Sequence, residues 1–389
     1  MRHMGVLGGT FDPVHEGHLQ LAQKAVSLYT PDGVILAPAG QPPHKENVHA
    51  SPRQRLKMCR LACDGKPNLY VTDADMREGK PSYTASLMKR LHKEYPDTVF
   101  YFIIGADKLP NLHRWHKADE LFGLCEFLVC PREGEETVFP DEAVRMGAKF
   151  HVMEGVRFPG QSTLIREQLH QDEDAPDLPH CVQDYIAMHG LYREDLLPVL
   201  RDMMSAHRFK HTLGVRDMAV TLARRHNAPV MKAALAALLH DCAKGMNTRD
   251  LRKIAQEENL TDDEELLSSG AMLHGIVGAH LARTKFGVTD EEVLSAIRVH
   301  TMGKPDMTPL ELTIFVADAI EENREDYPGL ANIRRAAEQS LRCAALLSLR
   351  GTRDYVLSQG KQFVGKGDDT MRGLEAQLTQ EEQDLINLF

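Results

Sequence analysis

Over roughly the first 150 residues, short apolar runs alternate with amphipathic helical patterns, and this alternation constrains the fold more than any other feature. Runs suited to strands lie at 4–7, 33–37, 69–72, 98–104, 126–130 and 149–153, with helical patterns at 19–28, 53–63, 84–94 and 118–122 between them. Such repetition predicts crossover connections and a parallel sheet. Ligands of these sheets gather at the carboxyl ends of the strands. After an acidic, proline-containing loop at 171–179 and one more helix at 181–189, strands vanish. Helical patterns then follow at 196–205, 211–226, 230–239, 248–258, 275–285, 290–300, 309–322 and 330–349. The chain therefore reads as two domains: an α/β Rossmann-like domain over 1–193 and an all-α domain over 194–389. From residue 353 the second domain ends in a polar tail.

The formal net charge of -10 argues against non-specific binding to nucleic acid or an acidic membrane, which needs a basic surface. Small nucleotides need only a local cluster of donors. The seven cysteines form no Cys-x-x-Cys pair and read as reduced thiols of a cytoplasmic protein. No apolar run reaches bilayer length, and no signal peptide precedes the first strand. A homo-oligomer is compatible with these features.

The first strand runs into Gly8-Gly9-Thr10-Phe11-Asp12-Pro13-Val14-His15-Glu16-Gly17-His18-Leu19. A strand, a glycine turn and a helix start in that order place main-chain N–H groups where a polyphosphate can sit. Glycines let the backbone approach a ligand without a Cβ in the way. His15 and His18, three apart, share one face of a first helical turn and can stabilise charge on a transferring phosphate. Four further stations follow in order. Lys45 lies in Pro42-Pro43-His44-Lys45, and Ser82-Tyr83-Thr84 offers donors at a helix start. Gly105 and Asp107 close a buried strand, with Trp115, the only tryptophan, shortly after. Ser162-Thr163-Leu164-Ile165-Arg166 supplies hydroxyls and a cation.

These five stations resemble the nucleotidyltransferase superfamily with the (His/Thr)-x-Gly-His signature, and in detail the bacterial nicotinate-nucleotide adenylyltransferases. Gln161 departs from a serine common in that family. The resemblance spans about residues 1–193 and implies Mg²⁺-dependent adenylyl transfer from ATP to nicotinate mononucleotide. It implies an ATP site at Gly8, Gly9, Thr10, Phe11, His18, Gly105, Asp107, Ser162, Thr163 and Arg166. Lys45, Ser82, Tyr83, Thr84 and Trp115 would hold the pyridine nucleotide, and His15, His18 and Arg166 would stabilise the transition state.

In the helical half, His240-Asp241 ends an apolar helix, and His211, His274, His300 and Asp318 are further candidate ligands. Imidazoles and carboxylates without thiolates suit iron, manganese or cobalt better than structural zinc. Six ligands are many for one ion with open positions, so the economical reading is two ions bridged by Asp241. Each gap holds a helix or more, so several helices aim one ligand apiece at a shared centre. The series resembles the HD-domain phosphohydrolases over about residues 196–350. The markers His240-Asp241-Cys242-Ala243-Lys244, His300-Thr301-Met302-Gly303 and Ala317-Asp318-Ala319-Ile320-Glu321 resemble the branch that splits diadenosine tetraphosphate into two ADP. Cys242 stands where that branch usually has an aromatic. Lys244 is a candidate catalytic cation, and Arg208 a second phosphate contact.

The residues leave rival readings open. The helical half could hydrolyse another nucleotide or be a non-catalytic nucleotide sensor, and the first half could serve another acceptor, such as pantetheine phosphate.

Overall fold

The computed structural model describes residues 1–42, 48–76, 81–131, 137–155, 162–171, 173–193, 196–360, 362–363 and 365–389. The chain forms two compact units, Met1–Gln168 with Ala175–Tyr185, and Leu169–Asp174 with Ile186–Phe389.

The first unit alternates as its periodicity requires. In order it comprises β1 (Arg2–Gly9), α1 (Glu16–Leu28), β2 (Val34–Pro38), α2 (Pro52–Cys63), β3 (Leu69–Val71), α3 (Thr84–Glu94) and β4 (Thr98–Gly105). A 3-10 helix (Ala106–Arg114), α4 (Ala118–Phe122), β5 (Glu126–Cys130), α5 (Asp141–Arg145) and β6 (Phe150–Val152) follow. The division between units falls within α6 (Ser162–His170) and α7 (His180–His189). All strand pairings are parallel, in the order β3-β2-β1-β4-β5-β6, with Leu7 beside Ile103 and Gly9 beside Pro38. The order reverses between β1 and β4, which opens a crevice outside their carboxyl ends. Val6, Leu36, Ile103 and Phe127 are among the strand side chains buried in the core. Ser51 starts α2 by accepting from Gln54 N–H, with Pro52 in the first turn, where a missing N–H costs nothing. The 3-10 helix and α5 were not expected. Pro110 interrupts the first, and the second is only five residues long.

The second unit contains α8 (Leu196–Met203), α9 (Ala206–Arg225), α10 (Val230–Leu239), α11 (Thr248–Glu257), α12 (Glu264–Leu267), α13 (Gly270–Thr284), α14 (Glu291–Val299) and α15 (Pro309–Ile320). It closes with α16 (Leu330–Ala337), α17 (Leu341–Ser358), α18 (Gly365–Ala376) and α19 (Gln380–Ile386). In α10 every residue but Lys232 is buried, the pattern of a helix enclosed on all sides. α9, α13, α14 and α15 pack around it.

Two expectations need correction here, and one open point is resolved. His211 does not open its helix: Ser205 caps α9 by accepting from Arg208 N–H at 3.2 Å, which places His211 in the second turn. The single pattern at 330–349 is two helices, because Ser340 accepts from Cys343 N–H and starts α17 anew. The polar tail is folded. Met371, Leu374 and Leu385 are buried, and α18 and α19 pack on α17.

Candidate active sites

A cavity of about 710 Å³ opens at the reversal between β1 and β4. Gly8, Gly9, Thr10, Phe11, His18, Gly105, Asp107, Ser162 and Arg166 line it, together with Ser82, Thr84 and Trp115. An adjoining cavity of about 820 Å³ shares Thr10, Ser82, Thr84, Asp107 and Trp115 and adds Tyr83, whose ring stacks on His116 at 4.1 Å. Of the remaining expected residues, Thr163 is exposed and its Oγ1 accepts from Arg166 at 3.2 Å. His15 is buried behind His18, their ring centroids 3.8 Å apart. Lys45 and Gln161 lie outside the described residues.

The two histidines differ in chemistry. His18 Nδ1 accepts from His15 N–H at 3.3 Å, so a neutral His18 carries its proton on Nε2 and is a donor there. Burial pushes the His15 imidazole down to about 4, against an opposing pull from Asp177. His15 is therefore neutral at pH 7. Arg166 reaches Asp12 O at 2.8 Å, which ties α6 to the turn after β1.

The glycines also sit close to side chains of the chain itself. A Cβ on Gly8 would lie 2.9 Å from the Phe102 ring, and one on Gly105 would lie 2.5 Å from Asp107 Oδ1. At both positions the missing Cβ leaves room for a neighbouring side chain, the Phe102 ring beside the turn and the Asp107 carboxylate beside the strand end.

The helical unit gathers all six expected ligands. Asp241 Oδ1 faces His274 Nε2 at 3.1 Å and His300 Nε2 at 3.7 Å. Its Oδ2 faces His240 Nε2 at 3.4 Å and His211 Nε2 at 3.8 Å. Asp318 Oδ1 lies 3.1 Å from His211 Nε2 and 3.8 Å from His240 Nε2. One carboxylate thus divides its two oxygens between two pairs of imidazoles. His211, His240 and Asp318 each present a ligand atom within 4.8 Å of the others, and so do His240, Asp241 and His300.

Each imidazole is anchored through Nδ1. His240 bonds Ala237 O at 2.6 Å, His300 bonds Ile297 O at 2.7 Å, His274 reaches Gly270 O at 3.3 Å, and His211 meets Glu321 Oε1 at 3.1 Å. A ring that donates from Nδ1 carries its lone pair on Nε2, and all four Nε2 atoms face the centre. The Nε2 atoms of His211 and His240 are buried without a hydrogen-bond partner. Such orphaned lone pairs fit a cation. Burial alone would raise the Asp241 carboxyl, but the imidazoles around it, His240 foremost, outweigh burial and hold it below its ordinary value.

Lys244 Nζ stands 3.3 Å from His274 Nε2, and burial pushes its amine down. Arg208 pairs with Asp241, and Arg324 donates to Asp318 Oδ1 at 2.7 Å. Cys242 is buried and donates to Gly278 O at 3.5 Å, so its place is in packing against α13. Beside His300 and Asp318 lies a cavity of about 790 Å³, which Tyr327, Tyr355 and Phe363 help to line.

Glu321 had appeared in the sequence only as part of a marker, with no role. It is buried, and its Oε2 accepts from Asn323 N at 2.6 Å and Nδ2 at 3.0 Å. The signal for it was its position three residues after Asp318, one helical turn on.

Comparisons with known proteins cover both halves of the chain. The sequence pattern of the cytidylyltransferase-like family matches residues 6–168, and that of the HD domain matches 208–323. A protein of Synechococcus sp. (strain JA-3-3Ab), named probable nicotinate-nucleotide adenylyltransferase, is 37% identical over 49% of this chain and 95% of its own length. The chain belongs to the nicotinate-nucleotide adenylyltransferase family. Its helical half carries an HD domain, with the divalent-metal site such a domain implies. A Mycoplasma genitalium protein named probable nicotinate-nucleotide adenylyltransferase/Ap4A hydrolase is 29% identical over 90% of this chain and 98% of its own length. A crystal structure of a predicted HD superfamily hydrolase involved in NAD metabolism, from Clostridium acetobutylicum, is 34% identical over 48% of this chain and 97% of its own, with a TM-score of 0.46. No described helix is long and apolar enough to cross a membrane.

Proposed function

We propose that this chain is a bifunctional enzyme. Residues 1–193 transfer the adenylyl group of ATP to nicotinate mononucleotide, and residues 194–389 hydrolyse diadenosine tetraphosphate to two ADP. Both substrates are the ones named for the relatives that align along its length.

In the first reaction a phosphate oxygen of nicotinate mononucleotide attacks the α-phosphorus of ATP. The α–β anhydride bond breaks, and pyrophosphate leaves with the electron pair. The chain supplies orientation and charge stabilisation. Gly8, Gly9, Thr10 and Phe11 form the phosphate turn, Ser162 and Arg166 share its cavity, and Thr163 accepts from Arg166. His18 Nε2–H donates to the oxygens of the reacting phosphate, and the neutral His15 holds His18 in register. Gly105 and Asp107 border the nucleoside, and Mg²⁺ accompanies the triphosphate. Lys45, Ser82, Tyr83, Thr84 and Trp115 hold the acceptor.

In the second reaction His211, His240, Asp241, His274, His300 and Asp318 would hold two ions, iron by preference, with manganese or cobalt as alternatives. Bound there, the ions supply an activated water and neutralise phosphate charge. Lys244 and Arg208 face the same centre and take phosphate oxygens. Nucleotide substrates of this kind support a cytoplasmic location.

The observation that carries the reading is the division of Asp241 between two pairs of Nε2 atoms. The test uses the purified full-length chain. ATP with nicotinate mononucleotide should yield dinucleotide and pyrophosphate, faster than with nicotinamide mononucleotide or pantetheine phosphate. Diadenosine tetraphosphate should yield ADP alone. A mixture of ATP and AMP would refute symmetrical cleavage, and turnover of a cyclic dinucleotide or deoxynucleotide instead would move the helical domain to another substrate.

A further inference from the structure

Arg55, on α2, is a cation with no exposed surface. Taking a guanidinium out of water is costly unless its donors are matched. Backbone oxygens match them. Nε donates to Ala50 O at 3.1 Å, Nη1 to Thr10 O at 2.6 Å, and Nη2 to Gly40 O at 3.2 Å. These carbonyls belong to the turn after β1, the loop after β2 and the approach to α2, all at the carboxyl edge of the sheet. Asp12 braces the same junction by accepting from His49 N at 2.9 Å and Ala50 N at 3.0 Å. Its own carbonyl receives Arg166 at 2.8 Å, and Ala39 N donates to Gly9 O at 2.8 Å.

The contact with Thr10 O has a directional consequence. A trans peptide sets its N–H opposite its C=O. With the Thr10 carbonyl drawn to Arg55, the N–H of Phe11 faces the other way. Thr10 and Phe11 both line the cavity of the first unit. Phe11 also sits at a φ of 52°, a left-handed conformation that a bulky side chain keeps only when its surroundings over-determine it. A flip of this one peptide would turn a carbonyl oxygen toward the polyanion and remove a donor.

The geometry points to Arg55 as the positioning residue of the phosphate-binding turn: it fixes the Thr10–Phe11 peptide so that its N–H is presented to the triphosphate of ATP. This rests on the adenylyl-transfer reading. Arg55 touches no substrate itself and acts through the backbone it grips.

The test compares full-length wild-type protein with Arg55→Lys, which keeps the charge but replaces a rigid three-way fork with a point donor. Equilibrium binding of ATP and of adenosine is measured, with kcat and both KM values for dinucleotide synthesis. The expected result is at least tenfold weaker ATP binding, adenosine binding within twofold of wild type, and kcat at least tenfold lower. KM for nicotinate mononucleotide stays within threefold. A variant that melts earlier yet binds and turns over ATP as wild type does would reduce Arg55 to a stabilising role and overturn the proposal. Equal losses for ATP and adenosine would overturn it too, because the defect would not be in phosphate positioning. If Arg55→Lys does not fold, Asp12→Asn loosens the same brace. An ATP-selective loss of threefold or more then supports the proposal, and unchanged affinities refute it. Wild-type protein that binds ATP but makes no dinucleotide would instead defeat the adenylyl-transfer reading.

Discussion

Glu321→Gln is nearly isosteric, yet it should weaken metal binding at His211. In the wild-type chain Glu321 accepts at both oxygens: Oε1 meets His211 Nδ1 at 3.1 Å, and Oε2 takes Asn323 N and Nδ2 at 2.6 and 3.0 Å. A glutamine keeps only one acceptor. With its oxygen toward His211, its amide N–H groups oppose the two Asn323 donors. Flipped, the amide opposes Nδ1–H, and relief comes only by moving the imidazole proton to Nε2, where it blocks the ligand lone pair. Either choice leaves a buried donor unmatched, at a cost of about 1–3 kcal/mol. That corresponds to the range of 10- to 100-fold in metal affinity seen when such orienting partners are lost. The assay is competition with a chelator of known affinity, followed by metal analysis of the full-length protein, with dinucleotide synthesis as a fold control. Metal retention equal to wild type in a folded variant would refute the claim that Glu321 sets the tautomer of His211.

Three further outcomes follow from the same geometry. Asp241→Ala should abolish hydrolysis and lower the metal content from two ions per chain, while dinucleotide synthesis stays at the wild-type rate; wild-type protein with one ion and full hydrolysis would defeat the bridged pair. His18→Ala should lower kcat of adenylyl transfer about 100-fold, the loss of one transition-state donor worth about 3 kcal/mol, with little change in ATP affinity. A raised KM with unchanged kcat would contradict that role. His15, buried at about 4 against 6.5 in the unfolded chain, contributes stability that is complete above pH 6.5 and lost as pH falls toward 4, up to about 3 kcal/mol. Denaturant titrations across that window should show a shallower pH slope for His15→Gln than for wild type, and equal slopes would count against a buried neutral imidazole.

The fold was legible where one periodicity ran uninterrupted. The expected bounds of α3, α4, α10 and β5 coincide with the structure. Errors cluster where a polar residue starts a helix earlier than its apolar stripe, as Ser205 does for α9, or restarts one, as Ser340 does for α17. The polar composition of the tail left its role open: three buried apolar residues anchor α18 and α19, and helices that cover a finished core need few. Arg55 carried no signal at all. In the sequence it is one basic residue among several on an amphipathic helix, and its role depends on three carbonyls brought together only by the fold.

The candidate metal cluster was legible for a physical reason. A helix apolar on every face must lie at the centre of its domain, so the His-Asp doublet at its end must lie where neighbouring helices converge. The anchoring of the rings follows the same logic of position. His240 and His300 are helix C-caps, and each Nδ1 reaches the carbonyl three residues back, in its own helix. His274, in the second turn of α13, reaches Gly270 O. His211 differs. It lies inside α9, and its Nδ1 finds a carboxylate from the end of α15 instead of a carbonyl of its own helix. Gly214, one turn on, leaves the space, since a Cβ there would come within 2.2 Å of Glu321 Oε2. His211 thus takes its orienting partner from elsewhere in the fold, and a small residue beside it admits that partner. Gly214→Ala should therefore displace Glu321 and reproduce the metal loss of Glu321→Gln without altering a ligand, whereas wild-type chelator resistance in that variant would show that His211 keeps its orientation by other means.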